Sequence, residues 1–167
     1  MTAYEARPID PAALKELRDT DDAGRPCAPY TATDSGDPLR CCLRGNEAGE
    51  RIALVSYAPL RRWAAATGAR PGAYDEQGPV FIHARECGGP AADRAGYPFS
   101  RAGAVRTVRR YDAAGRIVGG RLLEIPADEE RGYDEALAAA FADPEVALVH
   151  VRAMEYGCFQ FEVRRPR

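Results

Sequence analysis

Both histidines of the chain lie in short apolar runs, each with an arginine two residues further on and a cysteine shortly after. The first run, residues 80–87, contains His83 and ends at Cys87, and the second, residues 149–152, contains His150. Burying an imidazole or a guanidinium among aliphatic side chains is unfavourable unless the group is paired or faces a cavity. Since ionisable groups in such surroundings are typical of functional sites, the two runs are the first candidates for a site.

A thiol nucleophile is one chemistry that these residues could support. Cysteine reacts as the thiolate, which needs a nearby cation or base. The competing interpretation is that the cysteines are small buried hydrophobic residues, which is the usual environment of a free cysteine. Cys42 and Cys87 are the candidate nucleophiles, and the residues that could activate them are Arg40, Arg44, His83, Arg85, His150 and Arg152.

A metal site is a second possibility. His83 and Cys87 share strand parity, but an extended chain holds them roughly 13 Å apart, too far for one ion unless the strand ends between them. His150 and Cys158 could complete a two-His, two-Cys set if the two strands lie side by side. Zinc knuckles place their ligands in tight pairs on turns, and the chain has no CxxC pair. The sequence therefore predicts no metal ligands and no cofactor, and a zinc-binding module is the weakest of the hypotheses.

Anion binding is the third possibility. The planar guanidinium of arginine binds carboxylate or phosphate through two parallel hydrogen bonds. Arg40, Arg85 and Arg152 lie in strand-like runs rather than on a surface helix. An arginine inside a sheet needs a partner, so the alternative is an internal ion pair, for example between Arg152 and Glu162.

The leading hypothesis from these residues is a pocket for a small anionic metabolite on one face of a sheet. We predict Arg40, His83 and Arg152 as ligand-binding residues, and Cys42 and His150 as catalytic residues if the pocket performs a reaction. The competing class is a non-catalytic interaction or structural protein, such as a homodimer, in which the arginines form internal ion pairs. No reaction follows from the residues themselves.

Composition excludes several classes of protein. At 167 residues, with 46% hydrophobic and 29% charged residues, the chain has the size and composition of one globular domain. No apolar run is long enough to cross a bilayer, the start lacks the layout of a signal peptide, and an odd number of cysteines favours reduced thiols. A net charge of -2 and the lack of a binding motif make the arginines near residue 110 a solvated strand face. We therefore expect a cytoplasmic protein with neither a nucleic-acid nor a membrane partner.

Local patterns predict the elements that position these residues. Asp10 followed by Pro11 is typical of a helix start, and residues 51–57 are predicted as a buried, central strand. The remaining predictions are an extended segment at 38–44, a loop with one helical turn at 59–78, a hairpin at 105–111 and 116–125, and a helix at 130–142. Together they predict an α+β fold: a single domain over residues 1–167, with a mostly antiparallel β-sheet and two or three packing helices.

The last segment has the clearest pattern, because apolar and polar residues alternate through 147–154 and again through 158–163. A three-residue connection between the two strands puts all the apolar residues on one face, whereas a two-residue connection would pair them with the polar set. That register places His150 opposite Glu162, Arg152 opposite Gln160, and Met154 opposite Cys158. His150 is then either a general base oriented by a carboxylate or one half of a satisfied cross-strand pair.

Several short motifs occur together along the chain: PLRCCL at 38–43, Gly49-Glu50, Tyr57, GPVFIH at 78–83, Cys87, VHVR at 149–152 and Gly157-Cys158. In this order they resemble a bacterial family described as domain of unknown function 1203. The resemblance extends from about residue 39 to residue 163 and implies a compact bacterial domain. It also implies that Arg40, Cys42, Arg152 and Cys158 belong to the common pattern of the family, and it implies no activity.

Overall fold

The computed structural model of the protein describes residues 2–166 and shows within them three α-helices and two β-sheets. The helices are α1 (Pro11–Leu17), α2 (Pro59–Thr67) and α3 (Glu129–Phe141). The first sheet contains β1 (Tyr30–Thr31), β2 (Pro38–Leu39), β3 (Arg44–Gly45), β4 (Arg51–Tyr57) and β5 (Gly78–His83), in the order β1-β4-β5-β2-β3. The second contains β6 (Val105–Asp112), β7 (Ile117–Glu124), β8 (Val146–Ala153) and β9 (Phe159–Arg164), in the order β7-β6-β8-β9.

All strand pairs of the two sheets are antiparallel except β2 with β5, so the predicted α+β class is confirmed. The structure has two sheets where the sequence indicated one. The predicted types of α1, β4, α3 and the β6–β7 hairpin are also confirmed, and their predicted starts lie within one residue of the observed ones. No helix within residues 2–166 is both long and apolar enough to cross a membrane.

Each sheet has its own core. Helix α3 packs Tyr133 and Leu137 against the apolar face of the second sheet, where Val151 and Phe161 are fully buried. In the first sheet, Ile52 and Ile82 pack against α1 residues, and Phe159 of β9 belongs to this same cluster. Because Phe159 belongs to a strand of the second sheet, β9 joins the two cores beside β5.

Two local predictions are wrong. Residues 59–78 contain a nine-residue helix, because Pro59 starts α2 at its first position and Leu60, Trp63 and Ala64 bury one face at helical spacing. Residues 38–44 are extended only at β2 and then turn through residues 40–43 into β3. Leu43 adopts a left-handed conformation with φ 57°, which reverses the chain at a position where the sequence has no glycine.

The register of the β8–β9 hairpin is only partly as predicted. His150 pairs with Glu162, and Val151 with Phe161, as the alternation indicates. A bulge then follows, so that Arg152 pairs with Phe159 instead of Gln160, and the amide of Ala153 donates to the carbonyl of Cys158 at 2.9 Å. One extra residue in one strand produces this shift, which an alternating pattern does not reveal.

Candidate functional site

The predicted site residues do not converge on one place. Arg40 lines a cavity between the two sheets, whereas Cys42 and His83 belong to a separate cluster of thiols. His150 lies in the interior, and Arg152 borders a smaller cavity of about 250 Å³. The residues predicted to form one site therefore belong to three separate features: an arginine-lined cavity, a Cys/His cluster and a buried histidine.

The cavity between the sheets has a volume of about 770 Å³. Leu54, Pro79 and Phe81 of the first sheet form one apolar wall, and Phe99 and Tyr156 contribute from the loops on the other side. Its polar lining includes two buried arginines, Arg40 and Arg106, together with Gln160, Asp37 and Glu155. A pocket that is mostly apolar with a few polar groups is the usual form of a small-molecule site.

Arg40 is the least exposed charged residue at this cavity, at 2%. Its Nε donates to the carbonyl of Phe159 at 2.8 Å, its Nη1 donates to the carbonyl of Pro38, and its guanidinium carbon lies 5.8 Å from the ring centroid of Phe99. No carboxylate within residues 2–166 forms an ion pair with it. Burial lowers the pKa of Arg40 to about 10, so the group remains a cation at neutral pH.

Arg106 on β6 is a second buried cation that the sequence reasoning missed. Its Nη2 donates to the carbonyl of Phe99 at 3.0 Å, and its nearest carboxylate, on Glu155, is 3.9 Å away. Its Nε is buried and has no hydrogen-bond partner within the described residues. The alternation of side chains along the strand could have predicted its burial, because Arg106 lies on the same face of β6 as the fully buried Val108. The prediction of a solvated face is therefore wrong for this residue.

Cys41, Cys42, His83 and Cys87 form the second feature, which we call the Cys/His cluster. Their Sγ and imidazole nitrogen atoms all lie within 4.8 Å of one another. The cluster exists because β2 pairs in parallel with β5, which sets the turn at residues 40–43 beside the last residue of β5. Strand β5 ends at His83, and the chain then turns back far enough for Cys87 to approach.

Spacing along the chain alone puts His83 and Cys87 too far apart to share an ion and predicts no metal ligands. The structure brings them together with Cys41 and Cys42 instead of with His150 and Cys158. Strand β2 has only two residues, and nothing in the local sequence indicates that it pairs in parallel with β5. The four-residue cluster could therefore not be predicted from the sequence. The adjacent Cys41 and Cys42 were the only signal, because they form a tight pair on a turn.

Hydrogen bonds within the cluster separate the acidities of its thiols. The bond between the two neighbouring thiols raises the pKa of Cys41 and lowers the pKa of Cys42, while burial raises the pKa of Cys87. On the other side of the imidazole, His83 Nε2 lies 3.2 Å from Glu50 Oε1. Arg44 pairs with Glu50 at 2.5 Å and holds the pKa of that carboxyl at about 2, so it is ionised at neutral pH.

His150 and Arg152 both contact other groups of the protein, although the two imidazole nitrogens of His150 and Nε of Arg152 have no hydrogen-bond partner within the described residues. His150 is fully buried between the rings of Tyr111 and Phe159, and its nearest carboxylate is Glu162 Oε2 at 3.5 Å. A catalytic role for His150 therefore has no support in this geometry. Arg152 donates to the carbonyl of Gly157 at 3.0 Å and lies 3.5 Å from Glu76, so it is internally paired, although with Glu76 and not with the expected Glu162.

Comparison with known proteins gives one family. Neither a search of curated proteins nor a search of solved structures gave a match. The family model described as "Protein of unknown function (DUF1203)" matches residues 36–165, which include the cavity arginines and the whole Cys/His cluster. With most of its length matched by that model, the chain belongs to the DUF1203 family.

Proposed function

We propose that the protein binds a small organic anion in the cavity between its two sheets, with Arg40 as the residue that holds the negative group. The observation that carries this proposal is a buried guanidinium without a carboxylate partner at the wall of a cavity of about 770 Å³. A buried charge is costly unless it is compensated, and two carbonyl groups compensate it only in part. An anionic ligand supplies the missing counter-charge.

The lining defines the chemical class of the ligand. Phe81, Phe99 and Leu54 favour an aliphatic or aromatic body, while the planar guanidinium favours a carboxylate or a phosphate. Asp37 and Glu155 also border the cavity, and they disfavour a ligand with negative charge at several positions. The best fit is a compact molecule with an apolar body and one anionic group.

We propose that this cavity binds a ligand, and we propose no reaction in it. Cys42, His83 and Arg152 do not line this cavity, and His150 is fully buried. The interaction-protein alternative requires that the arginines be internally paired, which holds for Arg152 and Glu76 but not for Arg40. A cytoplasmic location is part of the proposal, and the five unpaired thiols support it because reducing compartments keep cysteines in that form.

The test is a thermal-shift screen followed by calorimetric titration. The probes are aliphatic and aromatic monocarboxylates, their phosphate analogues, and the corresponding uncharged amides. We expect at least one anion to raise the melting temperature, and its amide to have no effect. The proposal fails if no anion of the set stabilises the protein, or if amides and anions act equally.

Arg40→Met tests the anchor, with Arg152→Met as its matched control. A charge-assisted hydrogen bond contributes about 1.5–3 kcal/mol, so Arg40→Met should weaken binding by about 10- to 100-fold. Arg152→Met makes the same change at an arginine outside the cavity and should leave the affinity unchanged. Leu54→Trp, at a half-exposed position of the wall, narrows the cavity without altering a buried residue and should also weaken binding. Equal affinities in all four proteins would overturn the assignment.

A further inference from the structure

We infer that Cys41, Cys42, His83 and Cys87 form a site for one tetrahedral zinc ion. This inference is independent of the proposed anion binding, because none of the four residues lines the cavity that contains Arg40. It also replaces the expectation, drawn from spacing alone, that the chain has no metal ligands.

The distances between ligand atoms match those around a tetrahedral zinc ion. Zinc–sulfur bonds of about 2.3 Å and zinc–nitrogen bonds of about 2.0 Å place two sulfurs about 3.8 Å apart, and a sulfur and a nitrogen about 3.5 Å apart. The two sulfurs of Cys41 and Cys42 are 3.9 Å apart, and His83 Nδ1 lies 3.4 Å and 3.7 Å from them. Cys87 lies within 4.8 Å of the other three ligand atoms and completes a set of three thiols and one imidazole.

The imidazole of His83 is oriented as a metal ligand would be. Its Nδ1 faces the thiols, and its Nε2 lies 3.2 Å from the carboxylate of Glu50 and 3.3 Å from Nη2 of Arg44, which binds the same carboxylate. Histidines that bind zinc usually donate the proton of their other nitrogen to a carboxylate or a carbonyl, which fixes the tautomer and makes the ligand more basic. Arg44 in turn holds Glu50 at 2.5 Å. Glu50 is therefore a positioning residue for His83.

Hydrogen-bond donors and cations also surround the thiols. The amide of His83 donates to Cys41 Sγ at 3.2 Å, and the amides of Arg44 and Gly89 donate to the sulfurs of Cys42 and Cys87, respectively. Arg18 interacts electrostatically with Cys87, and Arg44 with Cys42. Zn²⁺ with three thiolates carries one negative charge, which these arginines offset. On binding, the three thiols release their protons to solvent.

Four protein ligands leave no open coordination position, so the ion has a structural role. It links the turn at residues 40–43 to the end of β5 and to the loop that begins after His83. That turn contains the left-handed Leu43, and the loop contains Gly88 and Gly89 with φ 76° and 81°. Leu43 has a backbone conformation that residues other than glycine rarely adopt, and the metal bonds would stabilise the turn that contains it.

The first experiment measures metal directly in the wild-type protein. Protein purified under reducing conditions without chelator is analysed for zinc by mass spectrometry, and the metal-free protein is then titrated with Co²⁺. We expect one zinc per chain, and a cobalt spectrum with the visible bands of a tetrahedral ion and near-ultraviolet thiolate-to-metal bands. The inference is overturned if the reduced protein contains no stoichiometric zinc and gives no tetrahedral cobalt spectrum.

The second experiment compares cysteine variants. Cys42→Ser should lose stoichiometric zinc, whereas Cys27→Ser and Cys158→Ser, which alter thiols outside the cluster, should retain it. Glu50→Gln should keep the zinc but weaken its affinity by about 10- to 100-fold in a competition with chelator. Equal zinc content in Cys42→Ser and Cys27→Ser would overturn the ligand assignment. If Cys42→Ser fails to fold, the cobalt spectrum of the wild-type protein decides the outcome.

Discussion

His150 makes the stability of the protein depend on pH in a range where few other groups titrate. It is fully buried, and burial lowers its pKa from the usual 6.5, although Glu162 partly offsets this. In the unfolded chain the same imidazole accepts a proton near pH 6.5. The unfolded state therefore binds the additional proton at mildly acidic pH. The contribution of His150 to stability is complete above pH 6.5 and is lost as the pH falls from 6.5 towards the lower folded pKa.

The size of the effect follows from this linkage. A single proton changes the free energy of unfolding by at most about 1.4 kcal/mol per pH unit. Between pH 6.5 and pH 5.0, the wild-type protein should therefore lose up to about 2 kcal/mol through His150. Glu162 contributes little to the slope in this window. Burial opposes its ionisation, but His150 and Arg164 hold its pKa below the usual 4.5, so its stabilising contribution is lost only below pH 4.5.

Urea denaturation at several pH values between 7.5 and 5.0 measures this slope. The perturbation is His150→Gln, which keeps a side chain of similar size but cannot gain a proton. Its free energy of unfolding should vary less over this range than that of the wild-type protein, by up to about 2 kcal/mol. His83 is present in both proteins, so its contribution cancels in the comparison. Parallel curves for the two proteins would refute the reasoning, because they would show that burial does not keep His150 neutral.

Two further predictions concern packing, and both are measured by urea denaturation. Phe161 is fully buried against Tyr97 and Tyr133, with ring centroids 6.1 Å and 5.9 Å away, so Phe161→Ala should cost about 3–5 kcal/mol. Leu122→Ala, at an exposed position of β7, should cost less than about 0.5 kcal/mol, and similar losses for the two would contradict the assigned core. Gly132→Ala in α3 should be destabilising although alanine is the better helix former, because the new Cβ would lie 2.3 Å from Cδ of the rigid Pro126 ring. Gly119→Ala should cost less, since the nearest atom, Arg110 Nη2 at 2.1 Å, ends a flexible side chain, and the reverse order would contradict this explanation.

Elements that depend on local pattern were predictable from the sequence. The helix at Glu129–Phe141 and the β6–β7 hairpin follow from periodicity and turn residues, and both lie close to their predicted bounds. Helix α2 was missed because two arginines and flanking glycines and prolines obscured a short buried face. Its burial depends on contacts with Tyr111 and Leu148 of the second sheet, which no local pattern contains.

The candidate sites were less predictable because tertiary pairing assembles them. The sequence predicted correctly that Arg40 is a buried arginine. Its neighbours in the cavity were not predicted, because Phe99 lies in a loop and Arg106 lies in the hairpin that was predicted to be solvated. The Cys/His cluster depends on a parallel pairing between two short strands and on where β5 ends. The cluster combines residues of the turn at 40–43, the end of β5 and the loop that follows it, and their spacing along the chain does not predict that they are close in space.

The two candidate sites share the turn at residues 40–43, yet the position of Arg40 does not depend on the thiols next to it. The amide of Arg40 donates to the carbonyl of Phe81 at 2.9 Å, and its carbonyl accepts from the amide of Ile9 at 3.0 Å. Its guanidinium is held by the carbonyl of Phe159 on β9. Three separate elements therefore fix the cation that faces the cavity, whereas Cys41 and Cys42 face His83. Because the anchors of Arg40 are hydrogen bonds to the main chain, loss of zinc and loss of anion binding are separable results, and neither site explains the other.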